Sequence, residues 1–438
     1  MSDTTSARPK LGFWMTTALV VGNMIGSGVF LLPSSLARYG ALSIVAWLFT
    51  AAGSVLLALV FARLATMVSG AGGPYTYARA GFGDFIGFLV GWGYWLSIWT
   101  SNAAIATAFT GYLTVFWAAP GKSNALAAVV TVTLIWILTA VNVAGVRVAG
   151  AVQLVTTLLK ALPLLVVAAI GLARLQPSQF TPFNPSGEPL LAAFSAAAAL
   201  TLWAFLGLES ATVPADDVEN PERTIPRATI AGTLFAAVIY IASSTAVLGV
   251  IPRDVLATST APFADAARLL LGDWAAYLIA AGAVISTLGA LNGWILMQGQ
   301  MPVAAARDGL APPAFGRLSK NGTPALALVS TSAIVTVIVL MNYTRGLVAM
   351  FTFLILLATL MTLVPYVFSS MALLVLARER SATKRIPAGI LVVGGLAFAY
   401  SLWAVGGAGK DAVYWGMLLL LGSVPVYVMM RREAPWKS

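Results

Sequence analysis

The chain has 438 residues, 59% of them hydrophobic and 9% charged, with a mean hydropathy of +0.90 and a formal net charge of +10. Apolar runs of about 18 residues or more recur from end to end and are continuous rather than alternating, which excludes a soluble core and a β-barrel. Cysteine and histidine are absent, so disulfides, thiolate nucleophiles, imidazole shuttles and Cys/His metal sites are excluded, and no metal or cofactor is expected.

Residues 1–11 are polar, and the apolar stretch after them outruns a signal-peptide core, so they read as a retained tail. Twelve spans follow, over 12–33, 41–66, 85–116, 125–146, 150–173, 190–213, 228–250, 274–302, 324–342, 346–377, 386–406 and 412–430. This pattern predicts an all-α polytopic membrane protein embedded in a lipid bilayer. Residues 12–175 hold the first five spans, 190–377 the next five, 386–430 two more, and 431–438 form a second tail. With the N-terminus inside, the inside segments carry 17 Lys and Arg against 7 outside. The positive-inside rule then places both termini in the cytoplasm, and the net charge needs no nucleic-acid partner.

Span one is interrupted at Gly22-Asn23-Met24-Ile25-Gly26-Ser27-Gly28, where three glycines in seven residues make a continuous helix costly. Unwinding there frees amides around Gly26, Ser27 and Gly28 to hold a carboxylate, and frees carbonyls that accept from an amine. Close packing of small residues is the alternative reading of the same glycines. Span three places Tyr94, Ser97, Ile98, Ser101, Asn102 and Ile105 on one broad face. An asparagine there serves either a substrate or a neighbouring helix.

Only two charged side chains fall at membrane depth, Lys160 in span five and Glu209 in span six. Such residues are functional-site candidates, because an ionised group in hydrocarbon is expensive. Span six breaks at Leu206-Gly207-Leu208-Glu209-Ser210, so the first spans of both five-span halves are broken. That correspondence points to a 5+5 inverted repeat with a transport site at its centre. Glu209 reads as a counter-ion, a proton carrier or a structural acid. Lys160 reads as a partner of Glu209, a tether to the carbonyls of span one in place of sodium, or a structural charge. Trp203 lies one turn before Gly207, and Trp294 lies mid-span in span eight after Gly289 and Gly293; each suits a cation or plain packing.

At these residues the sequence resembles the basic amino acid/polyamine antiporters of the amino acid–polyamine–organocation superfamily. The resemblance covers nearly the whole chain. It runs through Gly22–Phe30, Gly72-Gly73-Pro74-Tyr75-Thr76-Tyr77-Ala78-Arg79, Thr201–Ala211 with Glu219-Asn220-Pro221-Glu222-Arg223, Ala305–Leu310 and Val364-Pro365-Tyr366. It implies sodium-independent exchange of a basic amino acid for its decarboxylated amine by alternating access, in a bacterial-type inner membrane, with a homodimer as a possible assembly. Arginine/agmatine exchange is favoured; ornithine/putrescine, lysine/cadaverine and a neutral amino-acid exchanger or proton-coupled permease of the same fold are the alternatives.

The resemblance also implies roles. Ile25, Ser27 and Gly28 would hold the substrate carboxylate and amine, and Ser97, Asn102, Trp203, Leu206 and Trp294 would complete the binding site. Tyr94 and Tyr366 would form an outer gate, and Glu209 would link binding to pH. The sequence departs from the arginine/agmatine pattern where Ala358 replaces a small polar residue and the span-three pair reads Ser97-Ile98, and in Lys160, a feature of neutral carriers. An enzyme, for example a membrane hydrolase with a Ser–Lys pair built on Lys160, lacks a nucleophile motif and an oxyanion loop.

Overall fold

The computed structural model describes residues 11–433 apart from 27, 69–71, 145–149, 213, 214, 216, 217, 310, 321, 343 and 345. Every named element is helical. In chain order they are α1 (Phe13–Met24), α2 (Gly28–Leu36), α3 (Leu42–Met67), α4 (Pro74–Phe82), α5 (Asp84–Leu113), α6 (Ala119–Lys122), α7 (Asn124–Ala144), α8 (Gly150–Leu172) and α9 (Leu190–Leu202). They continue with α10 (Pro221–Val250), α11 (Arg253–Thr258), α12 (Pro262–Leu271), α13 (Asp273–Arg307), α14 (Ala325–Asn342), α15 (Leu347–Arg380), α16 (Ala388–Gly407), α17 (Lys410–Leu421) and α18 (Ser423–Glu433).

Among the described residues, each of the twelve expected spans meets a helix or a helix pair. Nine helical segments among the described residues are long and apolar enough to cross a bilayer on length and composition alone. α5 is outside that group because Gly, Trp, Tyr, Ser, Thr and Asn dilute its hydropathy, yet most of its middle is buried. A span rich in small and polar residues is thus largely enclosed by protein. Leu191, Val238, Leu278 and Met341 stand on the outer surface with 63–70% exposure, which suits lipid contact and would be costly in water.

Loop contacts define two ends of the bundle. At the end where the chain begins, Glu219 N donates to Leu11 O at 2.9 Å, Arg380 bonds Met67 O, and Phe85 stacks edge-on with Tyr427. At the far end, Arg38 pairs with Glu188, Ser34 Oγ donates to Ser259 O at 2.8 Å, and Leu42 N donates to Phe183 O at 3.0 Å. Between these ends α5 packs against α13 and α15, and α10 packs against α3 and α8.

Three features differ from the expected pattern. The segments α4, α11 and α12 are helical although they lie in connections, since each is a short turn-and-cap unit with proline or a glycine C-cap rather than an apolar run. The last span divides at Gly422 into α17 and α18. The third is the extent of unwinding at the two breaks, described next.

Candidate functional site

α1 stops at Met24, and Ile25 leaves helical geometry with φ −77° and ψ 71°. α2 resumes at Gly28. The last carbonyls of α1 and the first amides of α2 thus lack helical partners at mid-bundle, where ends of opposite polarity meet. The second break is longer. α9 tightens into a 3-10 turn over Trp203–Phe205, Leu206 becomes extended at ψ 137°, and Gly207 takes φ +99°. A positive φ there, which glycine adopts without a Cβ clash, interrupts the helix, and a further 3-10 turn spans Ser210–Thr212.

The two breaks touch. A Cβ on Gly207 would sit 3.2 Å from the backbone carbon of Asn23 and 3.3 Å from its oxygen. A Cβ on Gly28 would sit 2.5 Å from Trp203 Nε1, so the absent side chain is what admits the indole. Between them lies a cavity lined by Asn23, Met24, Gly26, Gly28, Ser101, Ile105, Trp203, Leu206 and Trp294. Its free volume is about 20 Å³, room for roughly one water and far less than an amino acid. Trp203 is buried, and its Nε1 has no hydrogen-bond partner among the described residues.

On the chain-start side of the cavity, beyond its lining residues, a carboxyl group meets two phenols. Tyr94 Oη donates to Glu209 Oε1 at 2.9 Å, and Tyr366 Oη donates to Glu209 Oε2 at 2.7 Å. All three side chains are buried, and Phe61 meets the Tyr366 ring edge-on at 5.5 Å. Tyr94 precedes the cavity-lining Ser101 by two turns of α5, about 10 Å towards the end at which the chain starts. The tyrosines thus lie on the chain-start side of the cavity, not at the far-end gate expected for them.

On that far side α2 leads to a second cavity of about 580 Å³, lined in part by Ser34, Ser35, Arg38, Thr352 and Lys410. Ser35 and Thr352 hydroxyls meet there at 2.7 Å.

Lys160 does not pair with Glu209. Its ammonium is buried and donates to Gly22 O at 3.4 Å, joining α8 to the last turn of α1 beside the first break.

The remaining expected site residues are placed as follows. Gly28, Trp203, Leu206 and Trp294 line the cavity, while Ile25 is fully buried behind it. Ser27 lies outside the described residues. Ser97 Oγ donates to Tyr94 O at 2.7 Å and does not reach the cavity wall. Asn102 is buried next to Ser101 and donates from Nδ2 to Gln298 Oε1 at 2.7 Å. Gln298 escaped the sequence reading, because one glutamine near the end of a long helix carries no periodic signal. Among the described residues there is no cluster of metal-ligating side chains.

Residues 11–429 match the amino acid permease family. The chain belongs to that family. The putrescine transporter of Escherichia coli is 34% identical to it over 414 residues, covering 94% of this chain and 93% of the relative. A putative arginine/ornithine antiporter of Bacillus subtilis is 36% identical, covering 90% and 91%, and a cadaverine/lysine antiporter of Escherichia coli is 35% identical, covering 84% of each. This amino acid permease is a multi-pass membrane transporter and not an enzyme. Within it, the paired breaks abut beside the Trp203–Trp294 cavity, and Glu209 follows Gly207 by two residues in the second break.

Proposed function

We propose that this permease exchanges a basic amino acid for an amine, or for a second basic amino acid, by alternating access through the cavity between the two breaks. The observation that carries this reading is the abutment of the breaks around a cavity lined by Trp203 and Trp294, with the buried Glu209 carboxyl two residues after Gly207 in the second break. Amides at the start of α2 suit a carboxylate, and carbonyls at the end of α1 suit an α-amino group. Glu209 supplies negative potential on the chain-start side when it is ionised, and the faces of Trp203 and Trp294 suit a cationic side chain. The three relatives transport or exchange putrescine, arginine with ornithine, and cadaverine with lysine, as their names state. Those pairs carry more support than arginine/agmatine exchange, which the residue pattern favoured.

The two five-span halves act in this reading as inverted repeats, and both termini face the cytoplasm of the inner membrane. The Tyr94–Glu209–Tyr366 layer then closes the cytoplasmic path and Trp203 the opposite one. The Lys160 ammonium at Gly22 O occupies the kind of broken-helix carbonyl site at which sodium binds in transporters of this design, which supports sodium-independent exchange.

Purified protein in liposomes loaded with putrescine, cadaverine, agmatine, ornithine or alanine tests the proposal. Labelled ornithine, lysine or arginine is expected to enter at least tenfold faster into vesicles holding a matching cationic counter-substrate than into empty ones. Equal rates into empty and loaded vesicles, or exchange with alanine alone, would contradict it. Exchange with alanine alone would favour the neutral-carrier reading that Lys160 invites.

A further inference from the structure

The buried hydrogen bonds between α7, α14, α13 and α5 run in a single direction. Thr139 Oγ1 donates to Ile135 O at 2.7 Å, which uses the only hydroxyl proton of that threonine. In the Thr139–Ser332 contact at 2.7 Å the donor must therefore be Ser332. Ser332 Oγ is left to accept, and Gln298 Nε2 donates to it at 2.8 Å. The same nitrogen is 3.4 Å from Leu328 O, which can only accept. Gln298 consequently turns Oε1 to Asn102, and Asn102 must offer Nδ2, at 2.7 Å.

Thr139, Ser332, Gln298 and Asn102 are all at most 1% exposed. The chain ends on Asn102 Oδ1, which is buried without a hydrogen-bond partner among the described residues. The backbone of Gln298 is also held, since Trp95 Nε1 donates to its carbonyl at 3.1 Å. Asn102 adjoins the transport cavity: Ser101 before it and Ile105 one turn on both line that cavity, as does Trp294 one turn before Gln298.

We propose that Gln298 is a positioning residue for substrate selection, fixing the Asn102 amide so that its free oxygen meets a hydrogen-bond donor. This rests on the reading of the cavity as the site for a basic substrate. With Nδ2 committed to Gln298, Asn102 offers only an acceptor, and an ammonium or guanidinium satisfies it. A neutral side chain of the same length leaves a buried acceptor unpaired, the circumstance in which binding sites discriminate most strongly. A glutamine with an apolar replacement for its amide would release Asn102 to present either end.

Binding to the purified protein, measured for arginine with 2-aminooctanoate, lysine with 2-aminoheptanoate and ornithine with norleucine, whose apolar side chains match in length and carry no donor, provides the test. In Gln298→Met the affinity for the cationic member is expected to fall at least tenfold, with the neutral member changed less than threefold. Gln298→Glu keeps an acceptor facing Asn102 Nδ2, so its cationic-to-neutral preference is expected to equal or exceed that of the wild type. A purely structural role lowers the melting temperature and both affinities together. An unchanged preference in Gln298→Met, or a diminished one in Gln298→Glu, overturns the proposal; the second variant decides it if the first does not fold. Wild-type protein that binds none of the three cationic amino acids would overturn the exchange reading itself, and this inference with it.

Discussion

Glu209 holds a buried carboxylate whose two oxygens each accept from a tyrosine, Tyr94 on α5 and Tyr366 on α15. Hydrogen bonds to an ionised group contribute about 1.5–3 kcal/mol each, so this layer joins the break after α9 to two other helices firmly but reversibly. A glutamine in its place has one acceptor oxygen and must lose one of the phenol donors or turn an amide towards it. With histidine absent from the whole chain, no imidazole supplies a pH response near neutrality. Transport by Glu209→Gln is therefore expected to vary less than twofold between about pH 5 and 8, where the wild type varies several-fold. A profile unchanged by the substitution would remove Glu209 from pH coupling. Lys160 acts at the other break. Lys160→Ala leaves Gly22 O without its donor, and is expected to slow exchange at least tenfold while substrate affinity stays within threefold. An equal loss of affinity would make Lys160 a substrate contact instead.

At the scale of elements, the two breaks depend on glycines with different duties. Gly207 needs its positive φ and its closeness to Asn23 together, whereas Gly28 needs only room for the Trp203 indole. A left-handed conformation costs a non-glycine residue about 1–2 kcal/mol, and an added methyl at 3.2 Å from backbone has no flexible neighbour to displace. Gly207→Ala is therefore expected to lower the melting temperature and abolish exchange, with both effects visible in detergent-purified protein. Retained exchange at wild-type stability would show that the second break tolerates a different path.

Both breaks were legible in the sequence, because clustered glycines inside apolar runs conflict with helix formation. Partnership was less legible. Lys160 and Glu209 stood out as the two charges at membrane depth, yet their partners are a backbone carbonyl and two phenols, fixed by how α8, α5 and α15 pack. The placement of Tyr94 and Tyr366 on the chain-start side of the cavity, not the outer side expected of them, follows from how α5 and α15 run and not from residue type. Gln298 and its relay are pure tertiary structure, spread over more than 150 positions of the chain.

At the scale of the whole molecule, hydropathy made the helical membrane fold readable to within a few residues for most spans. The connections were not readable, since α4 is held by contacts rather than by its own pattern. Tyr75 bonds the Asp308 carboxylate beyond α13, and Arg79 reaches Asp84 at 2.8 Å and Asp308 at 3.2 Å. Burial, reinforced by Asp308, holds the Tyr75 phenol well above its ordinary value, so this donor stays protonated through the physiological range. The latch joins α4 and α5 to the end of α13 at the chain-start side of the bundle, while the cavity lies between the breaks at mid-depth.

Alternating access requires that this cavity open to each side in turn, and the absence of cysteine allows a direct measurement. Ser101→Cys places one thiol on the cavity wall. In sealed vesicles of known orientation, a small membrane-impermeant methanethiosulfonate should modify that thiol from either face, and saturating basic amino acid should slow both reactions. Modification from one face only, with or without substrate, would contradict transport through the cavity between the paired breaks.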